Sequence, residues 1–240
     1  MIGDVLTDLG GRPFVTWKFA ASLDGRIAAA DGSSRWITSE EARADAHRLR
    51  AESDAVVVGS GTQRMDDPQL TVRGIRVIRQ PLRVVVDTNA RTAADARVLD
   101  AEAPTLIAVA QDAGATHLEG RAEVVRLPRD AQGLDLAALL DALAARQVRS
   151  ILLEGGPTLA ASFLALGLVD RVIAYLAPVL IGGGGRAAIE GAGATSIEEA
   201  LRLRLEELVR IGSDLRLTAT LKPEARGARW SPALAPLPHA

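Results

Sequence analysis

Hydrophobic positions along this chain follow two periods. Short apolar runs with β-branched centres, such as AVVVG at 55–59 and RVVVD at 83–87, predict strands covered on both sides. On this pattern, strands are expected at Phe14–Ala20, Ala55–Gly59, Leu82–Asp87, Thr105–Ala110, Glu123–Leu127, Ser150–Glu154 and Arg171–Leu176. Between them the period lengthens to that of a helix. EEARADAHRLRAE follows Thr38 and Ser39, either of which can cap it, and carries its acids first and its arginines late. LDLAALLDALAARQ is apolar at helical spacing, and PTLAASFLALG opens with a proline in its first turn. This alternation predicts an α/β protein with a mainly parallel sheet and helices on both faces.

The last third reads differently. LRLRLEELVRIGSDLRLTATLKP predicts two alternating strands around the turn Gly212-Ser213-Asp214, an antiparallel hairpin closing one edge of the sheet. Residues 1–12 are expected to be a lead-in, 13–222 a single domain, and 223–240 a proline- and alanine-rich tail.

Composition narrows the chemistry. Among 240 residues there is no cysteine, which removes disulfides and thiolate ligands, and a formal net charge of −2 argues against a dedicated nucleic-acid binder. His47, His117 and His239 share no metal spacing, so no metal is expected; His47 is read as a surface or partly buried helix residue. The first residues lack a basic start followed by an apolar segment, and no apolar run approaches the roughly 20 residues of a membrane span. A cytoplasmic protein is the expectation.

Polar residues collect at the predicted strand ends. LLEGGPTLAASF at 152–163 is a strand, a Gly-Gly turn and a helix start, suited either to a phosphate or simply to a tight turn. Glu154 ends that strand at the carboxyl edge of the sheet, where a carboxylate needs a partner or a task. IGGGGR at 181–186 is read as a mobile connection rather than a ligand loop. Lys18 lies on the first strand, Asp24-Gly25 forms a turn, and Ser34 and Trp36 precede the first helix; Trp36 suits stacking on a flat ring or packing on that helix. GSGTQRMDDPQLTVR at 59–73 carries Thr62, Asp66 and Asp67 out of the sheet as a loop, with Arg73 offering a planar fork for a phosphate or carboxylate.

FVTWKFAASLDGRIA, GSSRWIT, LRAESDAVVVGSGT, DDPQLTVR, QPLRVVVD and LLEGGPTLAASFL, in this order, resemble the pyrimidine reductase of riboflavin biosynthesis from Pro13 to Pro178, with a weaker continuation to Lys222. The resemblance implies a dihydrofolate-reductase-like three-layer α/β/α fold with a mostly parallel central sheet and a C-terminal antiparallel hairpin. It also implies NADPH-dependent reduction of 5-amino-6-(5-phosphoribosylamino)uracil to its ribitylamino counterpart, by a homodimer. Lys18, Ser34, Arg50, Leu70, Arg73 and Glu154 would line the substrate site, with the arginines toward its phosphate. Ala20, Trp36, Thr62, Asp66, Thr88, Gly155, Gly156, Pro157, Thr158, Leu159, Ala160, Ala161 and Ser162 would hold NADPH. Lys18 and Glu154 are the candidates for proton handling, and Asp66 for orienting cofactor and ribose.

The family's usual fusion partner is a zinc deaminase, for which this chain has neither cysteines nor length. A stand-alone reductase is therefore expected, which leaves the undeaminated diaminopyrimidinone, or another pteridine or pyrimidine, as alternative substrates. A non-catalytic NADPH-binding protein is the reading from another class, and the presence of Lys18, Arg73 and Glu154 speaks against it.

Overall fold

The structure is a computed structural model and describes residues 11–221 apart from 132, 155 and 192. In chain order the elements are β1 (Phe14–Ser22), β2 (Arg26–Ala28), α1 (Glu40–Ala51), β3 (Ala55–Gly59), α2 (Ser60–Asp66), β4 (Leu82–Val86), β5 (Thr105–Ala110), β6 (Glu123–Leu127), β7 (Arg129–Asp130), β8 (Gly133–Leu134), α3 (Leu136–Ala144), β9 (Ser150–Leu153), α4 (Pro157–Ala165), β10 (Arg171–Ala177), β11 (Arg186–Ala187), β12 (Leu203–Ile211) and β13 (Asp214–Leu221). The main strands run in the order β12-β13-β10-β1-β9-β3-β4-β5-β6, and the fold is α/β with a mostly parallel sheet. The chain divides into two compact units, with boundaries at Thr16/Trp17, Arg43/Ala44 and Gly155/Gly156.

The first unit holds the parallel strands β9-β3-β4-β5-β6. Every residue of β5 is buried, as its unbroken apolar run TLIAVA requires, whereas the outer strand β6 exposes Glu123 and Arg126. Charges on an outer strand discourage pairing with another chain. In α3, Leu136, Leu139, Leu140 and Leu143 make one buried stripe, and Asp135 caps the helix by accepting the Ala138 N–H at 2.9 Å. Arg83 departs from the apolar pattern of β4: it is fully buried, and its guanidinium donates to Asp100 Oδ1 at 2.6 Å and to the carbonyls of Asp100 and Ala103.

The second unit holds the hairpin β12–β13 and the antiparallel pair β10–β13. The turn is one residue shorter than expected, because Asp214 pairs with Ile211 as the first residue of β13. Its buried carboxylate accepts the Ser39 N–H at 2.8 Å, and the Ser39 hydroxyl in turn accepts the Ala42 N–H at 3.2 Å as the N-cap of α1. The leucines of LRLRLEEL would change face at the double glutamate if β12 were regular. A bulge between Leu205 and Glu207 takes up the extra residue, so that Leu203, Leu205 and Leu208 lie opposite Leu221, Ala219 and Leu217.

One expectation on element type is corrected, and one on mobility. GSGTQRMD is not a loop: Ser60–Asp66 continues β3 as a helix. IGGGG is a loop as expected, with Arg186 opening β11, but it is pinned rather than free. Asp24 Oδ1 accepts the Ile181 N–H at 3.1 Å and Oδ2 the Gly182 N–H at 2.6 Å. Gly185 then passes so close to β2 that a Cβ would lie 2.7 Å from the Ala28 carbonyl oxygen. The expected lead-in before Gly11 and the tail beyond Leu221 lie outside the described residues.

Candidate functional site

In the first unit the candidate residues surround the segment Asp67–Arg73, which follows α2 without regular structure. Two of its residues adopt left-handed backbone, Asp67 with φ 38° and Leu70 with φ 58°. Leucine resists that region, so neighbouring contacts must impose it. They come from several elements. Asp67 Oδ1 accepts the Arg97 N–H at 2.9 Å, and the Gln69 amide donates to Asp100 Oδ2 at 2.7 Å. Arg50 Nη1 donates to the Thr71 carbonyl at 3.0 Å. Gln80 accepts the Val72 N–H at 2.7 Å and donates to its carbonyl at 3.2 Å, and the Arg73 N–H donates to His47 Nδ1 at 3.1 Å. Burial favours protonation of Asp100, but the hydrogen bonds from Arg83 and Gln69 outweigh it and hold the carboxyl below its ordinary pKa.

Glu154, one residue beyond β9, and Arg50, in the last turn of α1, form a fork. Nε donates to Oε1 at 2.7 Å and Nη2 to Oε2 at 2.9 Å, and both side chains are largely buried. Burial works against the guanidinium's charge, yet the attraction and hydrogen bonds of Glu154 outweigh it and raise its pKa. Glu154 is thereby fixed as a hydrogen-bond acceptor. Arg50 spends three N–H groups on Glu154 and Thr71, while the Arg73 side chain is exposed.

Thr62 and Asp66 stand one helical turn apart on α2 and so share one face, a relation invisible when the segment is read as a loop. Leu70 is buried at 2% exposure, and Thr88 follows Asp87, whose carboxylate accepts the N–H and hydroxyl of Thr92 at 2.7 Å each. Gly155 lies outside the described residues.

In the second unit, Lys18 is half-buried on β1 with Nζ 5.6 Å from the Tyr175 ring centre, and Ala20 follows two residues on, toward the same face. Ser34 accepts the Ile37 N–H at 3.2 Å through its carbonyl. Trp36 is exposed, with the Arg43 guanidinium 4.3 Å from its ring centre. Gly156 is the N-cap of α4 and supplies no side-chain cap, and Pro157 follows in the first turn. Thr158 is exposed and Leu159 half-buried; Pro157, Ala160 and Ala161 face inward. The Ser162 hydroxyl donates to the Thr158 carbonyl at 3.1 Å.

The structure thus joins Arg50, Glu154 and the Thr71 carbonyl by hydrogen bonds, and sets Thr62 and Asp66 on one face of α2. His47 and Gln80 brace the adjoining Val72 and Arg73, and Arg83 and Asp100 hold Gln69; the sequence does not single these four out. An arginine inside an apolar strand was the available signal for Arg83; Gln80 offered none. A cavity of about 370 Å³ lined by Gly11, Arg12, Ala144, Gln147, Val148 and Arg149 contains none of these residues. Among the described residues no cluster of His, Cys, Asp or Glu could hold a metal ion, and no helix is long and apolar enough to cross a membrane.

Residues 13–217 match the model of the RibD C-terminal domain family. The chain belongs to that family. It is 44% identical over 211 residues to the riboflavin biosynthesis protein RibD of Mycobacterium tuberculosis, a match covering 87% of this chain and 54% of that protein. It is 42% identical over 217 residues to the 2,5-diamino-6-ribosylamino-4(3H)-pyrimidinone 5′-phosphate reductase of Methanothermobacter thermautotrophicus, covering 88% of this chain and 99% of that one. This RibD-family chain therefore spans about half the length of the RibD proteins it matches, and nearly all of the archaeal reductase. Among solved structures, Acinetobacter baumannii RibD superposes with a TM-score of 0.79 at 33% identity, over 89% of this chain and 59% of that one. The yeast riboflavin biosynthesis reductase Rib7, at 21% identity and a TM-score of 0.70 over 90% of this chain and 93% of its own, shares the fold.

Proposed function

We propose that this chain reduces the ribosyl group of 5-amino-6-(5-phosphoribosylamino)uracil to a ribityl group with NADPH, as a step of riboflavin biosynthesis. The observation that carries this reading is the Arg50–Glu154 fork beside the braced Leu70–Arg73 segment, in a chain of the RibD C-terminal domain family. A fixed carboxylate suits the N–H donors of an aminopyrimidine, and an exposed arginine on a fixed backbone suits a phosphate. Arg73 is the better phosphate ligand of the two arginines, since Arg50 is engaged.

The residues present fit a dinucleotide. The uncapped start of α4 after Gly156 offers N–H groups to a phosphate, and Thr62 and Asp66 present a hydroxyl and a carboxylate from one helix face. NADPH, when bound, supplies hydride to C1′ of the sugar. For that carbon to accept it, the C1′–O4′ bond breaks, O4′ takes a proton, and the exocyclic nitrogen gives up its proton to form C1′=N. Hydride addition at C1′ and a proton on nitrogen complete the reduction. Lys18 is assigned the proton delivered to O4′; Glu154 holds the pyrimidine in place, and Ser34 and Leu70 line its site. Positioning contributes most of the rate in such a site.

A second reading changes only the pyrimidine. A relative covered almost end to end is named a reductase of the undeaminated diaminopyrimidinone phosphate, which favours that compound as the alternative substrate. Both readings are tested by following NADPH oxidation with the deaminated and the undeaminated phosphoribosylamino-pyrimidine. Turnover with the former alone is the expected result; turnover with the latter alone replaces the lead reading with the second, and inertness toward both removes both.

A further inference from the structure

His47 and Arg50 lie three residues apart on α1 and therefore share a face. Both grip the same short stretch. Arg50 Nη1 donates to the Thr71 carbonyl at 3.0 Å, and His47 Nδ1 lies 3.1 Å from the Arg73 nitrogen. In an extended chain the carbonyl of residue 71 and the N–H of residue 73 point to one edge, and both groups of residue 72 point to the other. Gln80 takes that other edge, bonding the Val72 N–H and carbonyl at 2.7 and 3.2 Å. Side chains thus stand in for the two neighbouring strands that this segment lacks.

We propose that His47 is a positioning residue for substrate binding: its neutral imidazole holds the Arg73 backbone so that the Arg73 side chain meets the substrate's phosphate. The proposal rests on the assignment of Arg73 made above. A backbone N–H only donates, so Nδ1 must accept, which places the ring proton on Nε2. An imidazolium has no acceptor, and protonation of His47 breaks the bond. The surroundings favour the neutral ring. Burial lowers its pKa below 6.5, and the charges of Arg50 and Arg73 act in the same direction, against Glu154 and the Thr71 backbone. The three charged side chains that act on the ring come from α1, from the segment itself and from the residue after β9.

Two variants separate the hydrogen bond from mere packing. His47→Asn keeps an acceptor near the Nδ1 position but does not titrate; His47→Leu keeps bulk without an acceptor. Hydrogen exchange of the Arg73 amide is read first, because it needs no turnover. The amide is expected to be protected in wild type and His47→Asn, and to exchange about tenfold faster in His47→Leu, the size of one net hydrogen bond. With the pyrimidine that wild type reduces, KM should rise as pH falls below 6.5 while kcat changes less. His47→Asn should lose that rise, and His47→Leu should show a KM raised about tenfold at every pH. Equal protection in His47→Leu, an acid rise retained in His47→Asn, or a fall in kcat that matches the rise in KM would overturn the proposal. Inactive wild type with a protected Arg73 amide would sink the substrate assignment, and with it the purpose given to His47, while leaving the brace established.

Discussion

Glu154 and Arg50 are 104 residues apart in sequence and meet in one bidentate fork. Removing one charge from a largely buried pair leaves the other uncompensated, at a cost of about 3 kcal/mol. Glu154→Gln is therefore expected to lower unfolding free energy by about that amount in a denaturant titration. It should also reduce kcat far more than NADPH affinity; equal losses in both would mean that Glu154 supports the cofactor instead. The cost of a carboxylate at the end of an apolar strand marked Glu154 in the sequence, but its partner was not legible, because nothing local joins α1 to the end of β9. Arg83 was opaque for a related reason. An arginine in RVVV signals a buried charge, but its partners, Asp100 and the Ala103 carbonyl, lie on a later segment that no local pattern points to.

The elements themselves were largely legible. The long strands begin where apolar periodicity places them, since covered parallel strands leave an uninterrupted signature. α2 escaped because its seven residues, with Met65 the one large apolar side chain among them, carry no apolar stripe; the helix continues directly from β3. The glycine run after β10 looks free in the sequence because its anchor lies in a distant turn. Asp24, accepting from the Ser22 hydroxyl and from the amides of Gly182 and Ile181, has its pKa lowered from 3.8 to about 2. A carboxyl with a depressed folded pKa contributes stability that is complete above its unfolded value and is lost as pH falls from 3.8 through about 2. Asp24→Asn should abolish this part of the acid dependence and speed hydrogen exchange at Ile181 and Gly182 at neutral pH. Unchanged exchange there would show that the loop is held by other contacts.

At the scale of the molecule, the hairpin β12–β13 carries the clearest exposed apolar surface among the described residues. Leu203, Leu205, Leu208 and Leu215 are each at least 40% exposed, and β12 stands at the end of the strand order. An outer strand with an apolar face needs a cover, and a second copy of the chain is the proposed one. Leu205→Lys with Leu208→Lys is expected to convert a dimer to a monomer by light scattering without loss of helix or sheet signal in circular dichroism. A wild-type monomer would remove the proposal. The near-neutral composition could not reveal this face, because the bulge that aligns its leucines depends on strand register. The division of the chain has a consequence of another kind, for synthesis. The second unit opens with Trp17–Arg43 and does not resume until Gly156, whereas the first contains the uninterrupted run from Ala44 to Gly155. On a ribosome the first unit, which also takes the residues up to Thr16, can close once Gly155 has emerged, while the second still waits for its remaining strands.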